Sequence, residues 1–84
     1  MTATVRIQTT GPSSCEAVRR ALAGAAVEQR NAPNSGLDVT GPMDLAALAN
    51  TVAAALDAVA LAARGALVPE RVSASEFNLR PAAA

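Results

Sequence analysis

The chain has no His, Lys, Tyr or Trp, and only one Phe and one Cys among its 84 residues. Each absence removes a kind of chemistry. With no His and a single thiol there is no ligand set for a tetrahedral zinc site and no disulfide within the chain. General acid–base work falls to seven carboxylates, and their spacing forms no recognisable catalytic pair. The five glycines are scattered, with neither a G-x-G-x-x-G nor a Walker pattern, so no nucleotide cradle is expected. Seven Arg balance seven acids, which leaves no net field to hold a polyanion. The sequence therefore reads as a protein that is not an enzyme and carries no cofactor or metal. It is expected to meet tRNA or other nucleic acid only indirectly, if at all.

What is present is small and apolar. The chain is 51% hydrophobic and contains twenty-two alanines, so Val, Leu and Ile must fill a core across which backbones approach closely. At 17% charged residues it is too apolar for a disordered tail. A domain of this size buries roughly 60% of the surface its unfolded chain exposes, which leaves it marginal without a staple. Disulfide and zinc being excluded, association with a partner is the staple that remains. The opening MTATVRIQ has neither a basic leader nor an apolar run of signal length. Asn50, Thr51 and Asp57 interrupt the weakly polar stretch from Leu45 to Ala63. No membrane span is expected, and the location is read as cytoplasmic, or also nuclear in a eukaryote.

Apolar period two over Ala3, Val5 and Ile7 predicts a first strand with one wet face. Gly11-Pro12 breaks it, and Ser13-Ser14-Cys15-Glu16 reads as a capping box that starts a helix. The apolar stripe of that helix is Ala17, Val18, Ala21, Leu22 and Ala25. Gly24 is read as its stop, and residues 25–31 then form a second strand; a helix continuing to Arg30 is the other reading. The loop Ala32-Pro33-Asn34-Ser35-Gly36 turns the chain into a third strand with Leu37 and Val39 inward. Leu45, Leu48, Val52, Leu56, Val59 and Ala63 recur at helical spacing, opened by Asp44 and closed by Arg64-Gly65. Val72 and Ala74 share one parity and Phe77 and Leu79 the other, so the tail reads as irregular or as one short added strand.

These elements make an α+β fold of topology βαββα, with a three-stranded antiparallel sheet and two helices on one face. Residues 1–66 form a single small domain and 67–84 a C-terminal extension. Candidate partner-contact residues are Ala54, Ala58 and Leu61 on the second flank of the long helix, Val27 at a strand edge, and Phe77 and Leu79 in the tail. Phe77 and Leu79 can equally cover the chain's own core. Cys15 and Ser13 read more naturally as packing and capping residues than as nucleophiles. Arg19 and Arg20 are expected toward solvent, and Arg6 and Arg30 on the open sheet face.

The pieces TATVRIQTTGPSSCEAVRRALA and GLDVTGPMDLAALANTVAAALDAVALA resemble the small dimerisation subunit of the KEOPS complex, the CTAG/Pcc family. The likeness lies in apolar spacing and in Ala21-Leu22, Asp44-Leu45, Leu48 and Leu56, over residues 2–63. It departs at Ala49, where the family usually places Arg, and at Ala53-Ala54, where it usually has Asn-Ser, the pattern of a divergent paralogue. The resemblance implies a non-catalytic accessory subunit of the machinery that makes threonylcarbamoyladenosine on tRNA. It also implies dimerisation through the sheet, with itself or a paralogue, and helices that dock on a Kae-type catalytic subunit. Composition alone fits another class equally well, a small interaction adaptor of a bacterial regulatory or defence system.

Overall fold

In the computed structural model, which describes residues 1–82, the alternation of Ala3, Val5 and Ile7 becomes strand β1 (Ala3–Gln8), with Val5 and Ile7 fully buried. It is followed by α1 (Pro12–Ala21), β2 (Glu28–Ala32), β3 (Gly36–Gly41), α2 (Leu45–Ala62), β4 (Leu67–Ser73) and β5 (Glu76–Pro81). The strands form one sheet in the order β2-β3-β1-β5-β4. Neighbours run antiparallel except β1 and β5, which are parallel.

This corrects the expected three-stranded antiparallel sheet. Residues 67–81, read from the sequence as an extension, supply two of five strands. The parity argument failed there for a local reason. Leu67, Pro69 and Arg71 pair with Pro81, Leu79 and Phe77, so odd positions point to the core side on both strands. A register shift between Arg71 and Ser73, followed by the turn at Ala74-Ser75, separates the two runs. Val72 and Ala74 never belonged to the inward set, and both are exposed.

Two helix ends also differ from expectation. α1 begins at Pro12, whose missing N–H costs nothing in a first turn, and no side chain caps it. Ser13 is thus inside the helix, and Glu16 pairs with Arg20 at 3.5 Å and Arg19 at 4.0 Å. At the other end the cap residue is Leu22, so the helix closes before Gly24. The chain does turn back into a strand, as the shorter-helix reading requires, but β2 starts at Glu28 and not at Ala25, so Val27 lies just ahead of it.

α2 is capped by Asp44, whose Oδ1 accepts from the Ala47 amide at 2.8 Å. It closes in a Schellman arrangement: Arg64 N–H donates to Leu61 at 3.1 Å and Gly65 N–H to Ala60 at 3.4 Å. Arg64, not glycine, holds the left-handed position at φ 54°. Between β2 and β3, Asn34 and Ser35 are both left-handed (φ 59° and 63°), as a type I′ turn requires.

One face of the sheet packs on the helices. Val5, Ile7, Leu37, Val39, Phe77 and Leu79 from the strands meet Val18 and Leu22 of α1 and Leu48, Val52, Leu56 and Val59 of α2. By length and composition α2 is apolar enough to cross a membrane, with 33% of it buried within this fold.

Candidate interaction surfaces

Three surfaces remain once the core is assigned: the outer side of α2, the open face of the sheet, and its two edges. On α2 the buried residues Leu48, Ala49, Val52, Ala55, Leu56 and Val59 share one side. At 100° per residue, Leu61 falls opposite their centre, flanked by Ala54, Asp57 and Ala58. Leu61 is 81% exposed, and Ala54 and Ala58 are exposed as well. Beside this side, α1, α2 and the start of β4 enclose an open groove of about 440 Å³. Its lining is almost wholly apolar: Ala17, Ala21, Ala58, Val59, Ala62, Ala63 and Leu67, with Arg20 as the one charged residue. Alanine at these positions serves helix propensity and also leaves the groove shallow enough for an incoming side chain.

The open face of the sheet is polar. Arg30 stands opposite Asp38, Asp38 opposite Arg6, and Arg6 opposite Glu76, giving a row of alternating charge across β2, β3, β1 and β5. Within it Arg6 binds Asp38 through two hydrogen bonds of 2.9 and 3.1 Å. This contact holds the Asp38 carboxyl below its ordinary value and raises Arg6. Thr4 and Thr40 share a hydroxyl hydrogen bond of 3.0 Å on the same face, and Arg80 pairs with Glu70 at 3.7 Å. The part of the face formed by β2, β3, β1 and β5 is satisfied in water, and apolar side chains of the strands enter the face only at Ala32 and, on β4, at Val68 and the exposed Val72.

The edges are unlike. β4 carries Pro69 and a register shift, two devices that blunt an edge. β2 pairs with β3 over five consecutive residues without either. The edge of β1 that a three-stranded sheet would leave open is filled by β5.

The expected contact residues divide accordingly. Ala54, Ala58 and Leu61 are together on the outer side of α2. Val27 is half-buried and packed against the core. Phe77 and Leu79, 4% and 1% exposed, lie inside the core and are closed to any partner; the Arg71 guanidinium lies 5.5 Å from the centre of the Phe77 ring. Cys15 is half-buried beside the core. Arg19 and Arg20 share the single Glu16 carboxylate, and Arg19 also donates to the Asn31 side chain, so α1 keeps one net positive charge on its exposed side. Among the described residues no cluster of three or more His, Cys, Asp or Glu is placed to hold a metal ion. Sequence reasoning did not find the charge row, because the neighbours of Arg6 come from strands about 30 and 70 residues away.

No protein-family model matches the chain, and neither a curated protein nor a solved structure shows significant similarity to it.

Proposed function

We propose that this chain is a protein–protein interaction module with no chemistry of its own, which holds a partner on the outer side of α2 and the groove beside it. The observation that carries this reading is the groove itself, an open apolar channel whose rim residue Ala58 joins it to the outer side of α2, where Leu61 is 81% exposed. The central strands of the open sheet face, by contrast, carry charged and hydroxyl side chains that pair with one another. An adaptor of this kind needs only a rigid fold and one apolar patch, and its partner supplies any activity. The KEOPS-type reading is a particular form of this proposal in which the partner is a Kae-type subunit. The resemblance behind it covers β1 to α2 and leaves β4 and β5 unaccounted for.

The test is binding by proteins encoded beside this gene, and by the Kae-type subunit of the same genome, measured by light scattering with the wild-type chain and with Leu61→Arg and Ala58→Arg. A defined complex that both substitutions abolish supports the module reading, and its composition distinguishes the two forms. A complex that ignores both substitutions sinks the groove as its seat. Binding by none of these proteins sinks the reading.

A further inference from the structure

The flank of α1 that faces away from α2 lies beside the outermost strand. Gln29 ties the two together, its Nε2 donating to the Arg19 carbonyl at 3.3 Å, and Arg19 donates in turn to the Asn31 side chain. Between them runs an open groove of about 400 Å³, lined by Glu16, Arg19, Arg20, Ala23, Val27 and Gln29. A second hollow of about 280 Å³ continues it past Glu16 and Arg19 toward Cys15 and Ser35. One carboxylate serves two guanidinium groups there, so the groove keeps a surplus positive charge. Its outer border is β2, which lacks the proline and register shift that blunt the opposite edge. Every second residue of β2 turns its N–H and C=O away from β3, toward an edge that no strand of this chain covers. On the open face of the same strand Glu28 and Arg30 are exposed and have no ion-pair partner among the described residues. Asp38, across from Arg30, already gives both carboxylate oxygens to Arg6.

We infer that the groove between α1 and the β2 edge seats an acidic segment of a partner protein, extended and added antiparallel to β2. Backbone hydrogen bonds along a free edge supply affinity, and a groove beside that edge reads every second side chain. Directly opposed residues of an antiparallel pair point to the same face. The residue opposite Gln29 therefore enters the groove, where the surplus arginine charge selects an acid. Those opposite Arg30 and Glu28 lie on the open face and are selected as an acid and a base. Read from its N-terminus, the segment is acid, acid, base at three consecutive positions. A second copy of this chain fits poorly: β2 reads Glu28-Gln29-Arg30 and lacks the central acid, and paired about Gln29 it overlaps only residues 28–30. A free segment runs along all five residues of β2. This surface lies on the other flank of α1 from the apolar groove and is independent of the α2 side.

Fluorescence anisotropy of the full chain with a labelled, end-capped peptide containing Val-Thr-Glu-Glu-Arg tests this, the five residues being set opposite positions 32 to 28. Saturable binding is expected. Changing the second Glu of the peptide to Gln should weaken it about fivefold, and Ala23→Glu in the protein should do the same. Arg30→Glu should weaken binding likewise, and changing the first Glu of the peptide to Arg should restore it, which separates lost contact from lost folding. N-methylation of one alternate set of peptide amides should abolish binding, and of the other set should not. Absence of saturable binding overturns the inference, as does a Gln peptide that binds equally well or binding indifferent to N-methylation at both sets. A wild-type chain that forms a dimer by sedimentation which the peptide fails to dissociate gives the edge to a second copy and overturns it too. Leu61→Arg should leave peptide binding unchanged while losing the α2 partner; loss of the peptide in Leu61→Arg places it on the α2 side and overturns the assignment to β2.

Discussion

Arg6 and Asp38 meet across the β1–β3 ladder with Nε on Oδ1 at 2.9 Å and Nη2 on Oδ2 at 3.1 Å. Hydrogen bonding from the guanidinium is the main cause that lowers the Asp38 carboxyl from 3.8, with partial burial opposing and charge attraction adding to it. A carboxyl lowered in the folded state stabilises the fold above its unfolded value. That stability is lost as pH falls below the unfolded value and through the folded one. Thermal unfolding followed from about pH 5 to pH 2 should therefore show a steeper acid loss for the wild-type chain than for Asp38→Asn. Equal slopes would mean that the pair adds nothing in solution.

Phe77 and Leu61 are the two large apolar residues whose roles differ most. Removing the buried Phe77 ring by Phe77→Ala should cost about 3–5 kcal/mol, a large part of the total of about 4–13 kcal/mol expected for 84 residues. Leu61→Ala, at a solvent position, should stay within about 0.5 kcal/mol. Urea denaturation with both variants checks the pair, and a large loss for Leu61→Ala would show that its side chain packs in this fold.

Arg64 occupies a left-handed backbone position at the end of α2, with φ 54°. Glycine takes this conformation without the steric cost of a Cβ atom. Arg64→Gly should stabilise the chain by about 0.5–1 kcal/mol and raise the melting temperature by a few degrees, read by calorimetry.

Gly24 and Gly65 give opposite expectations for the same substitution. A methyl group at Gly24 meets nothing within 4 Å, and its φ lies outside the left-handed range. Gly24→Ala should stabilise by about 0.4–1 kcal/mol, by restricting the unfolded chain. Gly65 is equally open to space but sits at φ 84°, so Gly65→Ala should destabilise. Matched thermal melts decide both, and a destabilised Gly24→Ala would return to that glycine the helix-ending role its sequence position suggested.

Much of the first two-thirds of the fold was legible because its signals are local. Period two marked β1, the Pro-Asn-Ser-Gly run marked the turn before β3, and Leu48, Val52, Leu56 and Val59 marked the buried side of α2. The same helical geometry put Ala54, Ala58 and Leu61 outside. The rest was hidden by two physical facts. Val72 and Ala74 are apolar yet point outward around the register shift, which masked the odd-numbered inward set shared by both strands, so β4 and β5 looked irregular and Phe77 looked like a free anchor. Strand neighbours set by distant segments, such as β5 beside β1, leave no trace in the spacing of either one. The capping box failed for a smaller reason, since Pro12 starts α1 one residue before Ser13 can cap it.

Because β1 lies between β3 and β5, the strand of this sheet that is synthesised first is among the last to be completed. Its β3 neighbour arrives after about thirty residues, but the β5 side stays unpaired for about seventy, and Phe77 and Leu79 reach the core at the same moment. On the ribosome, every shorter nascent chain exposes one edge of β1 and an unfilled end of the core. Final stability therefore arrives in one late step, and a chain cut anywhere before β5 is expected to aggregate rather than to persist as a smaller version of the fold.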